Sequence, residues 1–112
     1  MKNKLLLVLS LLMVVSCKSL SDEEDMANKV FLYHLSVIES FVNIGYIDEA
    51  SALARSYEFL EGMTGIKGDV EEQKELFYIP SKENLRDWKK WLRNNRQKIY
   101  WDAGEQKVKI KA

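Results

Sequence analysis

The chain has 112 residues, with seventeen basic and seventeen acidic side chains, one histidine and one cysteine, so it has room for one small core and no net charge. A single cysteine excludes an internal disulfide. No nucleic-acid recognition motif accompanies the basic residues, which argues against nucleic acid as a partner.

Lys2 and Lys4 precede an apolar run from Leu5 to Val15, broken only by Ser10 and ending in Val14-Val15-Ser16-Cys17. A basic start, a short apolar middle and a small exit residue mark a secretory signal over residues 1–16. The run is shorter than the roughly 20 apolar residues that span a bilayer as a helix. Val14-Val15-Ser16-Cys17 resembles the bacterial lipobox, in which the cysteine sulfur receives diacylglycerol, the signal is cut before the cysteine, and the new amino group usually takes another acyl chain. The resemblance implies that Cys17 is lipidated. Two or more acyl chains hold a protein stably on a membrane, so the expectation is a chain anchored at the cell envelope without crossing the bilayer. Lys18, where inner-membrane retention uses aspartate, resembles outer-membrane sorting, and the acidic run that follows resembles surface-export signals. The expected location is the outer membrane, on its periplasmic or surface face.

Cleavage leaves 96 residues with a marked polarity of charge. Residues 17–80 carry five basic and thirteen acidic side chains, and residues 81–112 carry ten and four. The two regions can attract each other within the fold, or the basic third can steer an anionic partner. Residues 17–24 read as an acidic tether and residues 25–112 as a single helical domain. Ser21 and Glu24 also have the spacing of a capping box that would begin a helix at Asp22.

The predicted elements make the fold mainly α, a small helical bundle. Ala27, Val30, Phe31, His34, Leu35, Ile38, Phe41 and Val42 recur at three- and four-residue steps, the stripe of a packed helix that Gly45 stops. Asp48 caps a second helix with Ala50, Leu53, Ala54, Tyr57 and Leu60 on its buried face and Gly62 and Gly65 at its end. The short connection predicts a helical hairpin. Asp69-Val70-Glu71-Glu72 predicts a short fourth helix through Leu76, while Leu76-Phe77-Tyr78-Ile79 reads alternatively as an extended strip. After Pro80, Ser81 caps the third firm helix, with Leu85, Trp88, Leu92, Asn95 and Ile99 along one face and Trp91 beside them. Tyr100-Trp101 and Lys107-Val108-Lys109-Ile110-Lys111 predict a C-terminal β-hairpin or extended tail, Val108 and Ile110 on one face.

The pattern Pro80-Ser81, Trp88, Trp91, Asn95 and Tyr100-Trp101-Asp102 resembles the ends of small bacterial lipoproteins of no known activity, and tails that follow some HEAT-type helical repeats. It covers roughly Pro80 to Asp102 and implies no chemistry. Leu60 to Ile66 resembles segments of the same proteins.

Trp88, Trp91 and Trp101 suit a buried aromatic cluster. With a ring left exposed, Trp88, Trp91, Arg93 and Trp101 form a candidate binding face, rimmed by further basic residues, for an envelope protein or a glycan. His34 lies within an apolar stripe and reads as a core histidine; a small enzyme centred on it is the remaining catalytic alternative. The sequence shows no nucleophile elbow, phosphate loop, metal-ligand spacing or cofactor motif. The expectation is a lipid-anchored envelope binding module that is not an enzyme, with a structural or assembly component of an envelope complex as the alternative.

Overall fold

Three helices and two antiparallel strand pairs make up the residues that the computed structural model describes, 19–45, 50–72 and 76–112. The leader, Cys17 and the Asp48 cap lie outside the described residues. Helix α1 spans Asp22–Ile44 and starts with a complete capping box. The Glu24 N–H donates to the Ser21 hydroxyl at 3.2 Å, and the Ser21 N–H donates to the Glu24 carboxylate at 2.9 Å. Asp22 to Asp25 sit against the positive end of the helix dipole. The segment read as a tether therefore gives its last three residues to α1. Gly45 ends the helix at φ 78°, a left-handed conformation that glycine takes without a Cβ clash.

Helix α2, Ala50–Thr64, lies antiparallel to α1. Phe59 meets Phe31 while Ser56 meets His34, so contacts climb α1 as they descend α2. Gly62, expected to help stop this helix, lies inside it. One glycine costs only about 1 kcal/mol in a helix interior, and on either side Leu60 is held in the core and Met63 packs against it. Gly65, at φ 72°, makes the exit, its N–H donating to the Glu61 carbonyl at 2.8 Å.

The expected short fourth helix is replaced by a strand pair. β1 (Val70–Glu72) and β2 (Leu76–Tyr78) run antiparallel with Val70 opposite Tyr78. Contacts distant in sequence favour the extended form. The Tyr78 ring lies 4.3 Å from the Tyr57 ring, its hydroxyl donates to Glu58 at 2.9 Å, and the Ile79 N–H donates to the Asp69 carbonyl at 3.0 Å. Pro80 also disfavours helical geometry at Ile79.

Helix α3 runs Lys82–Asn95 from a cap at Ser81. Ile99, placed by periodicity on the same helical face, instead opens β3 (Ile99–Asp102), which pairs with β4 (Lys107–Ile110), Trp101 opposite Val108. The predicted terminal hairpin is present, with Val108 buried and Ile110 at its end 47% exposed. Two strands alone are marginally stable. This pair leans on the helices through Ile99, which is sealed, and Val108.

One core cluster joins every helix and the terminal hairpin. Phe31 and Ile38 from α1, Leu60 from α2, Trp88 from α3 and Ile99 from β3 are all sealed from solvent. The loop from Gly65 to Asp69 is fastened by side chains from two helices. The Trp88 indole N–H donates to the Ile66 carbonyl at 3.0 Å, the Tyr57 hydroxyl to the Gly68 carbonyl at 2.5 Å, and the Asp69 N–H to Asn84 Oδ1 at 2.8 Å. Burial and the neighbouring Glu61 push the Tyr57 pKa up to about 12, so its hydroxyl keeps the proton it donates.

The start of α1 clasps the end of the chain. The buried Asn28 amide donates to its own helix at the Glu24 carbonyl, 2.7 Å, and to the Arg96 carbonyl, 2.9 Å, which satisfies a carbonyl orphaned at the end of α3. Lys111 Nζ lies 2.8 Å from Glu24 Oε2, and Lys89 Nζ 3.6 Å from Glu39 Oε2. Part of the charge polarity is thus met within the molecule.

Candidate functional site

Of the residues predicted to form one aromatic and basic face, α3 carries Trp88, Trp91 and Arg93 and points them in different directions, and β3 carries Trp101. Successive helical residues turn by about 100°. Trp88 and Leu92 therefore point to the core, while Trp91 and Arg93, two residues apart, project from opposite flanks. Trp88 is sealed and cannot belong to a binding face. Its ring meets Tyr57 edge-on at 5.8 Å, whereas Trp91 stacks on Phe31 at 5.6 Å with 7° between the planes. Trp101 is partly buried in the hairpin and, among the described residues, makes no ring contact with either. Trp91 and Trp101 pack against the same core that holds Trp88, but among the described residues no two of the indoles stack on each other.

On the Arg93 flank, α1 and α3 enclose a groove of about 350 Å³. Leu35 and Leu92 form its floor with Leu32, which is 51% exposed. Lys89, Arg93 and Arg96 stand along one wall and Ser36 and Glu39 along the other. Glu39 is held loosely by Lys89. The guanidinium groups of Arg93 and Arg96 have no ion-pair partner among the described residues. Apolar floor and basic wall together match a ligand with both apolar and acidic groups. Leu32 was not singled out in the sequence; the signal was available, since a leucine that falls off the helical stripe faces solvent.

On the Trp91 flank lies a shallower depression of about 280 Å³, bordered by Ile66, Asp87, Lys90, Trp91 and Asn94. It shares no residue with the groove.

His34 is half-buried on α1. Its Nδ1 lies 2.9 Å from Ser56 Oγ and its ring stacks on Phe59 at 4.2 Å. Burial, aided by Arg55, lowers its pKa below the ordinary histidine value. A serine beside a histidine has the outline of an activated nucleophile, but Ser56 is only 1% exposed and presents no hydroxyl to a substrate.

Among the described residues no three His, Cys, Asp or Glu side chains are grouped to hold a metal, and no helix is long and apolar enough to cross a membrane. Comparisons with protein-family models, with curated proteins and with solved structures give no match to this chain.

Proposed function

We propose that this chain is a lipid-anchored cell-envelope binding module, tethered through acylated Cys17 at the outer membrane, whose three helices act as a small bundle that offers the α1–α3 groove to an acidic segment of a partner protein. The observation that carries the reading is the pairing of exposed Leu32 with Arg93 and Arg96, two cations unpaired among the described residues and set beside an apolar floor. Cations along a groove speed and orient association with an acidic partner, and the apolar floor supplies contact energy. The lipobox-like Val14-Val15-Ser16-Cys17 supports the anchor. The sealed Ser56 beside His34 favours binding over catalysis.

The test compares crosslinking in intact envelopes by the native chain, the Arg93→Glu/Arg96→Glu variant and a Lys67→Glu control. The reading expects one dominant partner whose yield falls at least about tenfold in the double variant and persists in the control. Equal recovery by all three would remove the groove from consideration. The anchor is tested by Cys17→Ser, which should abolish fatty-acid labelling and release the protein from membranes.

A further inference from the structure

The Trp91 depression lies on the opposite flank of α3 from the groove and carries a different set of groups. Phe31 backs the indole and fixes its orientation, so the part bordering the depression is presented rigidly. The Trp91 N–H finds no hydrogen-bond partner among the described residues, yet it is not sealed from solvent. The Asn94 amide and the Lys90 ammonium are likewise unpartnered among the described residues, and Asp87 is engaged only by Arg86 at 3.6 Å. The depression is thus bordered by a ring of groups: an indole that carries an N–H donor, an amide that donates and accepts, an ammonium and a carboxylate.

The composition of that ring selects the ligand. Asp87 and Lys90 carry opposite charges, so the rim has no net charge and offers no net attraction to an ion of either sign. A purely apolar group would strip water from four polar groups without replacing their hydrogen bonds. A neutral polyhydroxylated ring matches all of them, because its C–H face packs on an indole while each hydroxyl both donates and accepts. We propose that Trp91, Asn94, Asp87 and Lys90 form a subsite for a neutral saccharide ring, independent of the α1–α3 groove. Ile66, whose carbonyl is held by Trp88, closes the end of the depression.

The test uses the full chain in a detergent without a sugar headgroup and follows the tryptophan indole N–H signals by nitrogen-15 NMR, Trp91 being identified by its loss in Trp91→Phe. The probes are chitotetraose, maltotetraose and mannotetraose at millimolar concentration. At least one should move the Trp91 signal saturably while the Trp88 signal stays fixed. Asn94→Ala and Asp87→Asn, both at solvent-accessible positions of a helix that Trp88 and Leu92 hold, should each weaken that binding roughly tenfold. The Arg93→Glu/Arg96→Glu variant should leave it unchanged, so the subsite and the groove fail separately. No movement of the Trp91 signal with any of the three sugars would overturn the proposal, as would a saturable shift indifferent to both Asn94→Ala and Asp87→Asn.

Discussion

Gly68 and Trp88 approach so closely that a Cβ on the glycine would lie 2.8 Å from Cη2 of the indole, and 2.5 Å from Cε2 of Tyr57. Both rings are buried and rigid, and both are hydrogen-bonded to the same loop. Gly68→Ala should therefore lower stability by about 1–3 kcal/mol through overpacking. Gly62→Ala places its methyl in open space inside α2 and should raise stability by about 0.5–1 kcal/mol. Urea denaturation of the two variants checks the contrast; unfolding midpoints shifted in the same direction would refute it.

Asn84 serves two backbone donors with one oxygen. Oδ1 accepts from the Ser81 N–H at 2.9 Å, completing the α3 cap, and from the Asp69 N–H at 2.8 Å, tying the loop to the helix. Asn84→Ala leaves both donors unsatisfied and should cost about 1–3 kcal/mol. Asn84→Asp keeps the acceptor and adds a negative charge at a helix N-terminus, which the dipole favours. It should stay within about 0.5 kcal/mol of the native chain. Amide exchange at Asp69 gives a local readout, expected to quicken in the alanine variant only.

Acid should weaken the fold in two stages. The Lys111 ammonium, with the Ser21 N–H and hydroxyl, holds the Glu24 carboxyl at about 2 instead of 4.5. The unfolded chain then binds the proton first, so this contribution is whole above pH 4.5 and is lost as pH falls toward about 2. His34 is also lowered, from 6.5, chiefly by burial. Its contribution is whole above pH 6.5 and declines as pH falls through the lowered value. Denaturation midpoints measured against pH should show Lys111→Met flattening the more acidic stage and His34→Gln the milder one. If both variants kept the native profile, the two groups would not be the origin of the acid sensitivity.

The three tryptophans should differ in access. Trp88 is sealed, whereas Trp91 and Trp101 are partly exposed. In variants that keep one indole and replace the others by Phe, acrylamide should quench Trp91 and Trp101 several-fold more effectively than Trp88. Equal quenching would mean that α3 is rotated from the orientation described.

Local chemistry made the helix ends legible. Ser21 with Glu24, Ser81, Gly45 and Gly65 act within a turn of where they sit, and each marks an observed boundary. Residues 70–78 were less readable because their local pattern suits two conformations, and Tyr57 decides between them from another helix. Gly68 was opaque for the same reason, since nothing near it in sequence announces two rings overhead. The candidate site was legible as residue types but not as surfaces. Trp91 and Arg93 are neighbours in sequence and about 200° apart around the helix. Which flank borders which hollow depends on α1 for one and Ile66 for the other.

The salt bridge between Glu24 and Lys111 brings the first turn of α1 beside the last strand, so the front and back of the folded region are neighbours. Such a chain is a natural candidate for circular permutation. A short glycine-rich splice from Ala112 to Ser21, with new ends opened at Gly104 in the exposed turn between β3 and β4, would preserve every helix. Reporter groups placed at those relocated ends would then sit on residues that line neither the groove nor the Trp91 depression.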